Sequence, residues 1–122
     1  MEIITQISDV NYMLQKYKGA NLQLAFYSES LSRLAIRLYF TNQKKVIYII
    51  GIGCEKICGS FRLSNIDLSV SNVVNHEMGS DLIRIFEKTS GFEVLTSGGV
   101  TLAEGEDSEF GTSFDHFIDP HH

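Results

Sequence analysis

Residues 46–53, VIYIIGIG, are apolar at nearly every position. A strand with one face in water alternates apolar and polar residues. This one does not, so it reads as a central strand covered on both sides. The surrounding chain must supply two layers of cover. At 122 residues, 43% of them apolar, it is long enough to do so in one domain without covalent staples.

The segments around this strand supply period-two partners. Leu22, Leu24 and Phe26 alternate with polar or small neighbours. In SRLAIRLYF, Leu34, Ile36, Leu38 and Phe40 fall on one face, with Arg33, Ala35, Arg37 and Tyr39 on the other. TNQK then turns the chain. FRL and NIDLSVS follow, with Ile66, Leu68 and Val70 facing one way. Connections this short favour antiparallel neighbours. FEVLTSGGVTLAEG reads as a hairpin turning at Gly98 and Gly99.

Helical spacing enters at three places. Ile7, Val10, Leu14 and Tyr17, with Met13 beside them, predict a helix over 6–18, with Thr5 or Ser8 as its cap and Gly19 as its stop. Ser80 and Asp81 precede the stripe Leu82, Ile85 and Phe86, which predicts a second helix ending at Gly91. Phe110, Phe114, Phe117 and Ile118 predict a third, short one before Pro120. The expected fold is therefore α+β: a mainly antiparallel sheet of about four to six strands with two or three helices packed on it. The expected organisation is a single domain over 1–122.

The charges are unevenly placed within a net charge of −5. Residues 33–66 carry Arg33, Arg37, Lys44, Lys45, Lys56 and Arg62 against Glu55 alone, six minus one, or +5. From Glu104 onward, Glu104, Glu106, Asp107, Glu109, Asp115 and Asp119 meet no Lys or Arg, giving −6. Overall acidity argues against nucleic acid as a partner, because phosphate neutralisation needs an excess of clustered cations. Residues 104–122 are too aromatic for a disordered acidic tail. They are expected to dock on the basic sheet, with Phe110, Phe114 and Phe117 as interaction residues. Arg33, Arg37 and Tyr39, with Lys45 and Arg62 nearby, are the candidate anion-binding patch.

No motif completes a catalytic or cofactor site. IIGIGCEKICGSF has Lys56 where a dinucleotide loop needs its third glycine, and it lacks the Gly-Lys-Ser/Thr of a nucleotide loop. Cys54 and Cys58 have no second ligand pair for zinc, and read as buried structural thiols. His76-Glu77 lacks the second His of a zinc protease helix. The terminal DHFIDPHH has metal-binding residue types but no spacing that selects a metal. No cofactor and no metal are expected. The start, MEIITQ, has no basic segment, so no signal peptide is expected, and no apolar run approaches the ~20 residues of a membrane span. With two cysteines, a reducing cytoplasmic setting is expected.

The functional expectation is a small acidic, non-catalytic module that binds another protein. An inhibitor of the immunity or antitoxin kind is one form of it. The alternative is a small-molecule or anion-binding protein, or an enzyme, using the basic sheet face.

Overall fold

The computed structural model describes residues 2–28, 32–75 and 80–110. In chain order the elements are β1 (Glu2–Ile4), α1 (Ile7–Lys16), β2 (Asn21–Ser28), β3 (Arg33–Tyr39), β4 (Lys45–Ile52) and β5 (Cys54–Cys58). They continue with β6 (Arg62–Leu63), β7 (Leu68–Asn75), β8 (Ser80–Glu87), β9 (Glu93–Thr96), β10 (Val100–Glu106) and the one-turn α2 (Asp107–Phe110). The strands form a six-stranded sheet, in the order β1-β10-β4-β3-β2-β6, and a four-stranded sheet, β5-β9-β8-β7. Every pairing among them is antiparallel.

The antiparallel expectation holds, but the α+β class with two or three helices does not. The fold is mostly β, with one helix of more than a single turn among the described residues. The segment from Ser80 is a strand, not a helix. Ile83 and Ile85 face the core side while Arg84 and Phe86 take the other, and the strand pairs with β7 and β9 on its two edges. The stripe of Leu82, Ile85 and Phe86 fits a helix on paper. Two β-branched residues at period two, with strands available on both sides, outweigh it.

The core lies between the two sheets. The large sheet contributes Leu22, Leu34, Ile36, Leu38, Ile47, Ile49 and Leu102, and the small one Leu68, Val70, Ile85 and Val94. Helix α1 adds Val10, Met13 and Leu14, and its C-cap Tyr17, as the spacing predicts. Its cap differs from expectation. Gln6 takes the N-cap place without a side-chain bond, so neither Thr5 nor Ser8 caps it. Gly19, at φ +90°, ends the turn and donates its N–H to Ile66 O at 2.8 Å. Asn11 locks α1 to the small sheet: its Nδ2 donates to Val70 O at 2.7 Å and its Oδ1 accepts from Val70 N at 2.9 Å. The amide thus stands in for a neighbouring strand along β7.

Strand β4 is buried on both faces. Ile47 and Ile49 enter the main core, while Val46, Tyr48 and Ile50 join Ala35 and Ala103 in a second cluster on the outer face. The two sheets share their chain at a corner. β4 passes into β5 at Gly53, and β9 passes into β10 through residues 97–99. Strands β9 and β10 therefore do not form the expected hairpin at Gly98-Gly99; each pairs within a different sheet. The bends lie side by side, joined by Ser97 N to Gly53 O (2.9 Å), Gly98 N to Ile52 O (2.8 Å) and Ile52 N to Gly99 O (3.0 Å). Gly53 adopts φ +68°, and a Cβ at Gly98 would lie 2.9 Å from Ile52 O. Both positions need glycine, one for its conformation and the other for the space.

Glu87 is a buried carboxylate, 4% exposed, that organises the β8–β9 turn. It accepts from Asp67 N (3.0 Å), Thr89 N (2.9 Å) and Ser90 N (2.6 Å). Burial pushes its pKa up, but hydrogen bonds from Ser90, Asp67 and Thr89 outweigh burial and hold it down at about 2.

In urea denaturation, Ile49→Ala and Ile50→Ala should each cost about 2–5 kcal/mol, because each empties a filled site. Gly98→Ala should cost about 1–3 kcal/mol, because the carbonyl it meets is backbone. A neutral Ile50→Ala would mean that the outer cluster is not packed. For Glu87, the folded carboxyl has a lower pKa than the unfolded one. Its contribution is full above the ordinary value of 4.5 and is lost as pH falls toward about 2. Glu87→Gln should therefore be less stable by roughly 2–3 kcal/mol at neutral pH. It should also lose part of the wild-type decline in stability over that acid window, read from melting temperature against pH.

Candidate functional site

The outer face of the six-stranded sheet carries most of the expected basic patch. Register places Arg62 opposite Gln23, Gln23 opposite Arg37, Arg37 opposite Tyr48, and Tyr48 opposite Ala103. These residues form one row across five strands. With strands ~4.8 Å apart, the backbones of Arg62 and Arg37 lie about 10 Å apart. Arg33 and Tyr39 share that face on β3, four and two residues from Arg37. Lys45 does not. It follows the parity of Ile47 and Ile49, stands opposite Glu106 at the end of the ladder, and belongs to the other face. The expected patch is thus four residues on one face, with Lys45 turned away at its rim.

Arg37 is the centre of this face. Its guanidinium lies over the Tyr39 ring, 4.1 Å from the centroid. Its fork engages Asp107, through Nε to Oδ1 at 3.2 Å and through Nη2 to Oδ2. Tyr48 donates its hydroxyl to the same Oδ1 at 3.2 Å. Three donors thus converge on one carboxylate. Hydrogen bonding from Arg37 holds Asp107 below the usual carboxylate range, against its partial burial. Burial pulls Arg37 down, but the bond and charge of Asp107 more than reverse this. Tyr48 is raised, first by burial and then by the Asp107 charge. All three keep their ordinary neutral-pH charge states.

Asp107 begins α2, inside the acidic segment that starts at Glu104. That segment also touches the core: Tyr17 donates its hydroxyl to Glu104 Oε2 at 3.0 Å. Of the aromatic residues expected to dock, Phe110 ends α2, while Phe114 and Phe117 lie outside the described residues. His76, Glu77, His116, Asp119, His121 and His122 also lie outside them.

A second feature is a cleft of about 610 Å³ where the two sheets part. Leu24 and Tyr27 line it from β2, Phe61 from the position just before β6, and Cys54, Glu55, Lys56 and Ile57 from β5, with Gly59 at one end. β5 borders the small sheet, so among the described residues one of its edges has no strand beside it, apart from the bond of Cys54 N to Ser32 O at 2.9 Å. β6 pairs with β2 only at Leu22 and Gln23, extended by Leu24 N to Phe61 O at 2.8 Å. Phe61 is 64% exposed and Tyr27 48%. Lys56 leans toward Glu93, 3.8 Å away, which leaves the cleft mainly apolar.

The cysteines of IIGIGCEKICGSF lie on β5. An extended strand puts residues four apart about 13 Å from each other, beyond the reach of a disulfide or one metal ion. A one-residue bulge between Cys54 and Lys56 also separates their faces. Cys54 stands opposite the buried Thr96 and packs against the core, whereas Cys58 stands opposite Glu93 on the other side. Both are free thiols, and burial pushes Cys54 up to about 11. Among the described residues there is no group of three or more His, Cys, Asp or Glu that could hold a metal ion. No helix among them is long and apolar enough to cross a membrane.

Compared with family models, with curated proteins and with solved structures, the chain matches none. The site must be judged on its own geometry. Arg37 and Tyr39 fall on one strand face in the sequence, but the contacts of Arg37 and Tyr48 with Asp107 have no sequence signal. Tyr48 was hidden inside an apolar strand, and Asp107 among six acids. The cleft has none either, since no pattern distinguishes an exposed Phe61 from a buried one.

In a Cys58→Ser variant, alkylation of Cys54 by iodoacetamide should be slow near neutral pH and should accelerate only as pH approaches the raised pKa of about 11. Fast labelling at neutral pH would show a reactive thiolate and revive a chemical role for this residue.

Proposed function

We propose that the protein is a non-catalytic binding module for another protein, and that the cleft between β2 and β5 receives an extended, mainly apolar segment of that partner. The observation that carries this reading is a mainly apolar cleft bordered by β5, the border strand of the small sheet, and by two exposed aromatic side chains, Tyr27 and Phe61. Strand edges offer main-chain donors and acceptors to an incoming strand. Phe61, Tyr27 and Leu24 offer apolar anchors beside them. The titratable groups with large shifts support the same reading, because each serves a structural contact: Glu87 holds a turn, Tyr17 holds Glu104, and Cys54 is a half-buried thiol packed against the core. An inhibitor that blocks its target by taking in one of the target's segments is one form such a module takes.

The test is a display screen of random peptides against the full chain, followed by amide mapping by NMR. Selected peptides should be apolar at alternate positions and should shift the amides of residues 24–28 and 54–57. Phe61→Glu should weaken them by about 10-fold or more, as loss of a central aromatic anchor does. Peptides that bind Phe61→Glu equally well, or that shift other surfaces, would refute this reading.

A further inference from the structure

The Arg37 constellation resembles a loaded binding site more than a routine surface ion pair. Both ends of the guanidinium fork and one tyrosine hydroxyl converge on a single carboxylate, the geometry by which arginine recognises carboxylates in ligands. The Tyr39 ring backs the guanidinium and fixes its plane. The cation stands on a central strand, its side chain only 20% exposed. The anion stands on a one-turn helix, its side chain 49% exposed. Asp107 is the first residue beyond the last ladder pair, Glu106 with Lys45, so backbone rotation there removes the carboxylate without breaking a strand.

The surroundings extend the same chemistry. A cavity of about 270 Å³ adjoins the pair, and Gln43, Lys44 and Ser108 line it with further polar groups. In the other direction the row continues through Gln23 to Arg62. Cations spaced over several strands suit a chain of carboxylates better than one compact phosphate. Arg33, Arg37 and Arg62 stand on this face, with Lys44 beside the cavity, and supply the positive charge that such a ligand complements.

We propose that Arg37, Tyr39 and Tyr48 form a carboxylate-binding site for an acidic peptide segment of a partner, and that Asp107 occupies this site in cis as a built-in competitor. A tethered competitor acts at millimolar effective concentration, so it sets a threshold that a single external carboxylate does not pass and a multivalent acidic segment does. Binding then releases the start of α2, which makes occupancy of the site readable at the end of β10. This site is separate from the apolar cleft and does not depend on it.

Fluorescence anisotropy with labelled hexaglutamate at low salt tests the proposal on the full chain. Asp107→Asn should bind the probe about 5-fold or more tightly than the wild type, in the range of ordinary coupling between sites. Arg37→Gln should abolish binding in both backgrounds. Phe61→Glu should leave it unchanged, which separates this test from the fate of the cleft. Inorganic phosphate should compete weakly; if it binds Asp107→Asn more tightly than hexaglutamate does, the ligand class is wrong. Should Asp107→Asn fail to fold, titrating the wild type with hexaglutamate while following the Arg37 Nε–H resonance decides the matter. Movement of that resonance supports the site, and its constancy up to about 10 mM probe overturns it, as does equal probe affinity of folded Asp107→Asn and wild type.

Discussion

The corner at Gly53 and Ser97–Gly98 holds the two sheets to one core. β4–β5 and β9–β10 are each one long bent ribbon, and the ribbons pair with each other on both sides of the bend. Three backbone hydrogen bonds join them at the bend itself. Without that crossing, the inner face of the large sheet would lack its cover. Ile47 and Ile49 would then face water, at a cost of about 1.5–3 kcal/mol for each exposed side chain. The double-sided burial of β4 is thus a consequence of how the chain turns a few residues later.

Polar groups hold the edges and turns that apolar packing leaves open. Asn11 satisfies Val70 N–H and C=O on β7 with a single amide. Glu87 gathers three backbone N–H groups around the β8–β9 turn. Arg84, stacked on Phe86, reaches Glu93 at 2.5 Å across the outer side of the small sheet. These groups contribute by leaving no buried donor unpaired rather than by large net attraction. Asn11 finds its partner 59 positions away and Glu87 one of its partners 20 away, so neither announces its whole role locally.

Period-two patterning made β2, β3 and β7 legible, because it follows directly from which face is buried, and an unbroken apolar run did the same for β4. α1 was legible for the same reason at period 3.6. The segment from Ser80 misled because LIRIF satisfies both periods; only the neighbours β7 and β9 decide between them. The SGG turn misled because a hairpin and a sheet-switching corner use the same residues. What differs is whether the next strand returns along the last one, and that is a property of the whole topology. At the site, Arg37 and Tyr39 were visible as alternate residues of one strand. Asp107 was not, since it lies 70 positions from Arg37 in sequence.

Among the described residues, strand β1 pairs only with β10, through contacts such as Ile3 with Ala103. On a ribosome the chain emerges from its N-terminus, so β1 is made early and its neighbour late. β4 meanwhile keeps one edge bare until the same strand arrives. The large sheet therefore cannot be completed stepwise during translation, and it closes only after β10 has left the exit tunnel. Until then a nearly continuous apolar strand with an open edge is held in the nascent chain, the kind of segment that recruits chaperones or pairs wrongly with its neighbours. The topology makes the speed at which the last strands are delivered part of what determines how much of the protein folds.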